Sequence, residues 1–168
     1  MNMVLPFLRL TIEPIPRNSR RATLANLLPR GQWDRIRRYV YRRSRYHCQI
    51  CGREGRMYCH ESWQFNEQTG YQYLMGFECL CEACHKTKHY FFARDSQERA
   101  ILFQYFLTIN RVTRQQGVDH LMNVYQQQRK LNQREWIVSF GEHNWHIPAT
   151  ATVRQRRSYA KLNHPQYG

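Results

Sequence analysis

The sequence predicts an α+β fold: a small metal-stapled core built from a cysteine knuckle, a β-hairpin and a helix, with a basic arm and helix before it and further helices after it. Three observations predict this. Two Cys-x-x-Cys pairs, Cys48/Cys51 and Cys81/Cys84, stand 29 residues apart. Between them, aromatic-rich stretches flank the turn-like run Asn66-Glu67-Gln68-Thr69-Gly70. On either side, apolar residues recur at three- and four-residue spacing, as amphipathic helices require. At 168 residues the chain can bury one sizeable core and not two independent ones.

Residues 3–12 (MVLPFLRLTI) read as a short edge strand, after which Pro14, Pro16 and the polar run to Arg21 force an extended path. Segment 1–31 is thus a basic arm. From Gln32 to Tyr46, Trp33, Ile36, Val40 and Tyr41 mark one helical face while Arg35, Arg37, Arg38, Arg42 and Arg43 fill the others. Met57–Glu61 reads as a strand, Trp63–Phe65 and Tyr71–Leu74 as the arms of a hairpin, and Glu82–Phe92 as a helix opening on the second cysteine pair. With the leading helix these elements make a core over 32–92. In 93–147, Asp95 and Glu98 form a capping pair ahead of Ile101, Leu102, Tyr105, Phe106 and Ile109, and Thr113 can cap a second helix carrying Val118, Leu121, Met122, Tyr125 and Leu131. Both helices are expected to pack on the hairpin. Trp136–Phe140 reads as a strand, and the acid-free basic tail, 148–168, is expected to be mobile or ordered by a partner.

The formal net charge is +14, and only four of the 26 basic residues are lysine (Lys86, Lys88, Lys130, Lys161), the rest arginine. Arginine's planar fork pairs with phosphate in a bidentate fashion and stacks on bases, so a nucleic-acid partner is expected over a generic basic surface. The basic helix positions Arg35, Arg38, Arg42 and Arg43 are the candidate phosphate contacts. Mean hydropathy is −0.78 and no apolar run is long enough to span a bilayer, so no membrane partner is expected. Met1–Leu10 lacks a charged start and a small-residue cleavage site, so it does not read as a secretory signal. Six cysteines within 37 residues have metal rather than disulfide spacing, which implies a reducing compartment and a cytoplasmic location.

Cys48, Cys51, Cys81 and Cys84 can give four thiolates to one tetrahedral zinc ion, a saturated and therefore structural site. A second constellation is His60 in the strand candidate with His85 and His89, four apart on one helical face. These imidazoles can bind a divalent ion suited to phosphodiester hydrolysis. Glu61 can orient a histidine from behind, or simply face solvent. Cys79 reads as a small buried apolar residue or as a ligand of a second zinc. His143 and His146 beside Trp145 read as bland, and His47 as solvent-facing.

The pattern C48QIC51, then His60 in a hairpin, then L80CEACHKTKH89 resembles the HNH endonuclease superfamily, in the subgroup whose two Cys-x-x-Cys knuckles buttress a treble-clef-like ββα-metal core. The match covers about a quarter of the chain. The resemblance implies that His60 is the general base, that His85 and His89 are ligands of the catalytic metal, and that Lys88 lies among the residues meeting nucleic acid. Where the family has an acidic or histidine ligand before the base, this chain has Cys59, a candidate ligand of the catalytic metal; a thiolate there favours zinc or another transition metal over magnesium, or a metal-ligand role for His60 instead. Gly76 stands where the family's bracing asparagine is expected.

The function expected is thus a metal-dependent endonuclease hydrolysing DNA. It would use a structural Zn2+, and Mg2+, Mn2+, Ni2+ or Zn2+ at the catalytic site. A protein partner can supply specificity, since no base-reading module is visible. Stand-alone proteins of this kind often belong to phage or bacterial defence systems. Two alternatives remain: a non-catalytic zinc-binding nucleic-acid-binding or assembly subunit, and a basic ribonucleoprotein component.

Overall fold

The computed structural model describes residues 7–139 and the strand His146–Pro148, and its fold is α+β. A short helix α1 (Leu24–Leu27) precedes the basic helix α2 (Arg30–Arg43). The long hairpin β1 (Met57–Asn66) and β2 (Tyr71–Cys81) leads directly into α3 (Glu82–Lys88). Helices α4 (Ser96–Asn110) and α5 (Arg114–Leu131) follow, then β3 (Ile137–Ser139) and β4 (His146–Pro148). The sheet order is β1-β2-β3-β4, with β3 parallel to β2 and the other pairs antiparallel.

Hairpin register is set at the turn, where Asn66 Oδ1 accepts from the backbone N–H of Gln68 and Thr69, and Gly70 takes the left-handed conformation at φ +77°. Each strand runs longer than the separate pieces expected, because Cys59↔Cys79, His60↔Glu78 and Glu61↔Phe77 continue the ladder down to the second knuckle. A bulge between Ser62 and Trp63 interrupts it. Gly76 sits opposite at φ +153°, a conformation only glycine adopts without strain. The register shift and this φ together account for a glycine at the position.

Residues alternate between the two faces of the hairpin, and each face has its own helix. α2 covers the face carrying Cys59, Phe77 and Cys79, packing Ile36, Val40 and Tyr41 there, with Trp33 6.5 Å from the Phe77 ring. α3 covers the other face, where Tyr58 stacks on His85 at 5.2 Å. The chain enters the first knuckle through Arg45 and Tyr46, both left-handed at φ +53° and +57°. Tyr46 N–H donating to Tyr41 O at 2.9 Å closes that turn.

The expected caps of the last helices form: Asp95 accepts from Glu98 N–H, and Thr113 with Gln116 makes a full capping box. α4 and α5 bury Phe103, Phe106, Leu107 and Val124 with Ile12 of the arm, while Leu131, Trp136 and Val138 bury Ala22 and Leu27 near the hairpin's far end. The two helices approach closely at Gly117, where a Cβ would meet Leu107 and Phe103.

The edge strand expected over 3–12 does not form among the described residues 7–12. Leu10 and Ile12 are buried, and side chains replace a ladder: Asn110 bonds both backbone groups of Leu10, and His120 Nε2 accepts from Ile12 N–H at 3.2 Å. The segment is a packed strap and not a solvated arm. Phe140, His143, the side chain of His146 and the tail 149–168 lie outside the described residues. Among the described residues, no helix is long and apolar enough to cross a membrane.

Candidate metal centre

The two knuckles bring Cys48, Cys51, Cys81 and Cys84 together, with all four sulfurs within 4.8 Å of one another. Cys51 Sγ and Cys81 Sγ are 3.6 Å apart, close to the roughly 3.8 Å that four thiolates about 2.3 Å from one zinc require. The hydrogen bond from Cys84 holds the Cys48 thiol well below its ordinary value, against the effect of burial. Cys48 N–H and Gly52 N–H donate into the knuckle turn, and Gly52 is left-handed at φ +76°. The cluster can hold a structural zinc that fixes the start of α3 against the first knuckle.

That placement carries the histidines. His60 projects from the α3-facing side of β1, and His85 and His89 extend from one side of α3 and its end. One ring nitrogen of each lies within 4.8 Å of the others, and the ring centres are 4.6 to 5.6 Å apart. His60 is 1% exposed. His60 Nδ1 and His89 Nδ1 are both buried with no hydrogen-bond partner. Burial and the neighbouring imidazoles push His85 down to about 4 and His89 to about 3, so both are neutral near pH 7 with lone pairs free for a metal.

His60 Nε2 donates to Glu13, 3.1 Å from Oε1 and 3.0 Å from Oε2. Burial raises the Glu13 carboxyl, but hydrogen bonds and charge from His60 and Lys88 outweigh it and hold the group at about 2. An ionised carboxylate only accepts, so Nε2 carries the proton, and in the neutral ring Nδ1 carries the lone pair. Glu13, His60 and Glu78 also converge, but Lys88 Nζ already lies 2.9 Å from Glu13 and 2.8 Å from Glu78 and supplies the cation that pair needs.

A cleft of about 480 Å³ runs alongside β1 between the strand and the strap, lined by Glu13, Arg20, Ser62, His85, His89 and Phe92 among others. The Arg20 guanidinium lies 4.2 Å over the Phe92 ring, which in turn stacks on His89.

The chain matches no family model, no curated protein and no solved structure.

Several expected residues have different places. Lys88, expected to meet phosphate, is 6% exposed and ion-paired with Glu13 and Glu78, because it lies on the buried side of α3. Cys59 is not in the histidine group, because neighbouring strand residues face opposite ways and its thiol lies toward α2, where burial pushes it up to about 12. Glu61 does not orient a histidine: its Oε1 accepts from Leu24 N–H at the start of α1. Cys79 is fully buried in apolar surroundings, as its plainer reading has it. His47 is exposed, 2.9 Å from Glu54. Arg35, Arg38, Arg42 and Arg43 are all exposed, but on the helix that covers the face away from the histidines. Arg20 and Glu13 were missed; the one signal for Glu13 was its position as a lone acid in a basic arm.

Proposed function

We propose that this chain is a metal-dependent phosphodiesterase of the HNH type, with a treble-clef-like ββα-metal core, acting on DNA. The observation that carries the reading is the convergence of three imidazoles, two with buried nitrogens that have no partner. Unpartnered buried polar atoms are costly, and a divalent ion between the rings would satisfy both. A divalent ion held by three protein ligands with open positions polarises a phosphate oxygen and activates water, which is the chemistry phosphodiester hydrolysis needs.

In this reading His60, His85 and His89 are all ligands. His60, implied as general base by the resemblance, is too buried to meet a nucleophilic water and serves as a ligand through Nδ1. Three imidazoles without a thiolate or carboxylate favour nickel or zinc over magnesium. The four cysteines hold α3 so that His85 and His89 face β1. Arg20 is the cation beside the cleft, placed to meet the cleaved phosphate. The α2 arginines hold DNA outside the cut segment, giving affinity without sequence reading.

The test is supercoiled-plasmid nicking in magnesium, manganese, nickel and zinc. Cleavage abolished by His85→Ala, with the structural zinc retained, supports the reading. His60's burial favours a second reading, a non-catalytic zinc module. Two tightly held zincs and no cleavage in any of the metals would establish that reading instead.

A further inference from the structure

We propose that Glu13, delivered by the N-terminal strap, is the positioning residue of the histidine site: it fixes His60 in the Nε2–H form and turns the Nδ1 lone pair toward His85 and His89. The inference rests on the metal-binding part of the function proposed above and not on its hydrolytic part.

Glu13 is held from both sides. Its own N–H donates to Lys88 O at 2.9 Å, and Ile12 before it is buried between α4 and α5. Pro14 after it restricts Glu13 to extended backbone. The carboxylate is then fixed by Lys88 Nζ on Oε1, and Lys88 is in turn held by Glu78 Oε2, which also accepts from Ser62 Oγ at 3.4 Å. Two elements 47 residues apart in sequence thus meet at one bond, Glu13 to His60.

The arrangement has a direction. With Nε2 committed to the carboxylate, a neutral His60 has only Nδ1 left to bind a metal, and Nδ1 is the atom that is buried without a partner. Carboxylates on the far nitrogen of a ligating histidine fix its tautomer and orientation and raise its basicity. Lys88 neutralises one of the two carboxylates, Glu13 and Glu78, so the surroundings keep one negative charge to offset part of an ion's charge at the imidazoles. The strap contributes no metal ligand, yet metal affinity depends on its being docked.

The experiment uses the full chain with the cysteine site loaded with zinc. Nickel is titrated into wild type, Glu13→Gln and Glu13→Ala by calorimetry, with melting curves run on each. Long-range nitrogen-15 NMR reads the His60 tautomer in wild type before nickel is added. Glu13→Ala is expected to weaken nickel binding by about 10- to 100-fold. Glu13→Gln, whose side-chain oxygen can still accept from Nε2, recovers part of that loss, and zinc content stays the same. The tautomer measurement needs no variant: Nε2–H with bare Nδ1 is expected. Nickel affinity unchanged in Glu13→Ala, or Nδ1–H in wild type, would overturn the proposal. A wild type that takes up no second ion overturns the metal site itself, a separate failure.

Discussion

Replacing Lys88 by alanine removes the ammonium from between Glu13 and Glu78 and leaves two carboxylates facing each other across a gap lined by His60. Removing one member of a buried ion pair costs about 3–5 kcal/mol, mostly because the remaining charge has no partner. The Lys88 side chain is 8% exposed, but those of Glu13 and Glu78 are 22% and 32% exposed, so water reaches the carboxylates and the lower end, about 3 kcal/mol, is expected. The loss depends on pH. Glu13 is held at about 2 in the folded chain against an ordinary 4.5. Its depressed value therefore contributes stability that is full above about pH 4.5 and lost as the pH falls toward 2. Lys88 supplies part of that depression, so wild type and variant should differ most near neutrality and converge in acid. Urea unfolding with zinc present, at pH 7 and at pH 4 and below, measures both features. A loss under about 1 kcal/mol at pH 7 would refute the buried pairing. If DNA binding weakened at the same time and its salt slope fell by about one, Lys88 would be the phosphate contact that the resemblance implied.

Cys59→Ser should leave nickel affinity at the histidines unchanged, because the thiol faces α2; a large loss in the same calorimetric titration would place it among the ligands. Gly76→Asn restores the residue the resemblance expects but puts a side chain at φ +153°. It should destabilise the chain by about 1–3 kcal/mol in urea unfolding, and a stabilised variant would contradict the bulge explanation. Asp95→Ala removes the side-chain acceptor for Glu98 N–H and should cost about 1 kcal/mol, with faster amide exchange in the first turn of α4.

Local chemistry was legible in the sequence, and long-range contact was not. Cys-x-x-Cys spacing is set by the geometry of one ion, so Cys48, Cys51, Cys81 and Cys84 could be grouped before any coordinates. Asp95 and Thr113 announced helix starts because a cap acts over three residues. Helical periodicity likewise found α2 within a few residues of its observed ends. Periodicity says which residues share a face but not which neighbour that face meets, so no local pattern showed that the hairpin separates the α2 arginines from the histidines. The same limit applied to Lys88, expected to meet nucleic acid but enclosed by Glu13 and Glu78. Glu13 reaches His60 and Lys88 across 47 and 75 residues, and no local pattern encodes such contacts. The parallel pairing of β3 with β2, Tyr71 opposite Ile137, escaped notice for the same reason.

Metal stoichiometry tests the central claim most directly. After equilibration with zinc or nickel and removal of loosely held metal, wild type is expected to carry two ions per chain. A His60→Ala, His85→Ala, His89→Ala triple variant should carry one, held by the four cysteines. One ion in both proteins would mean that the three imidazoles converge without binding metal and would contradict the account.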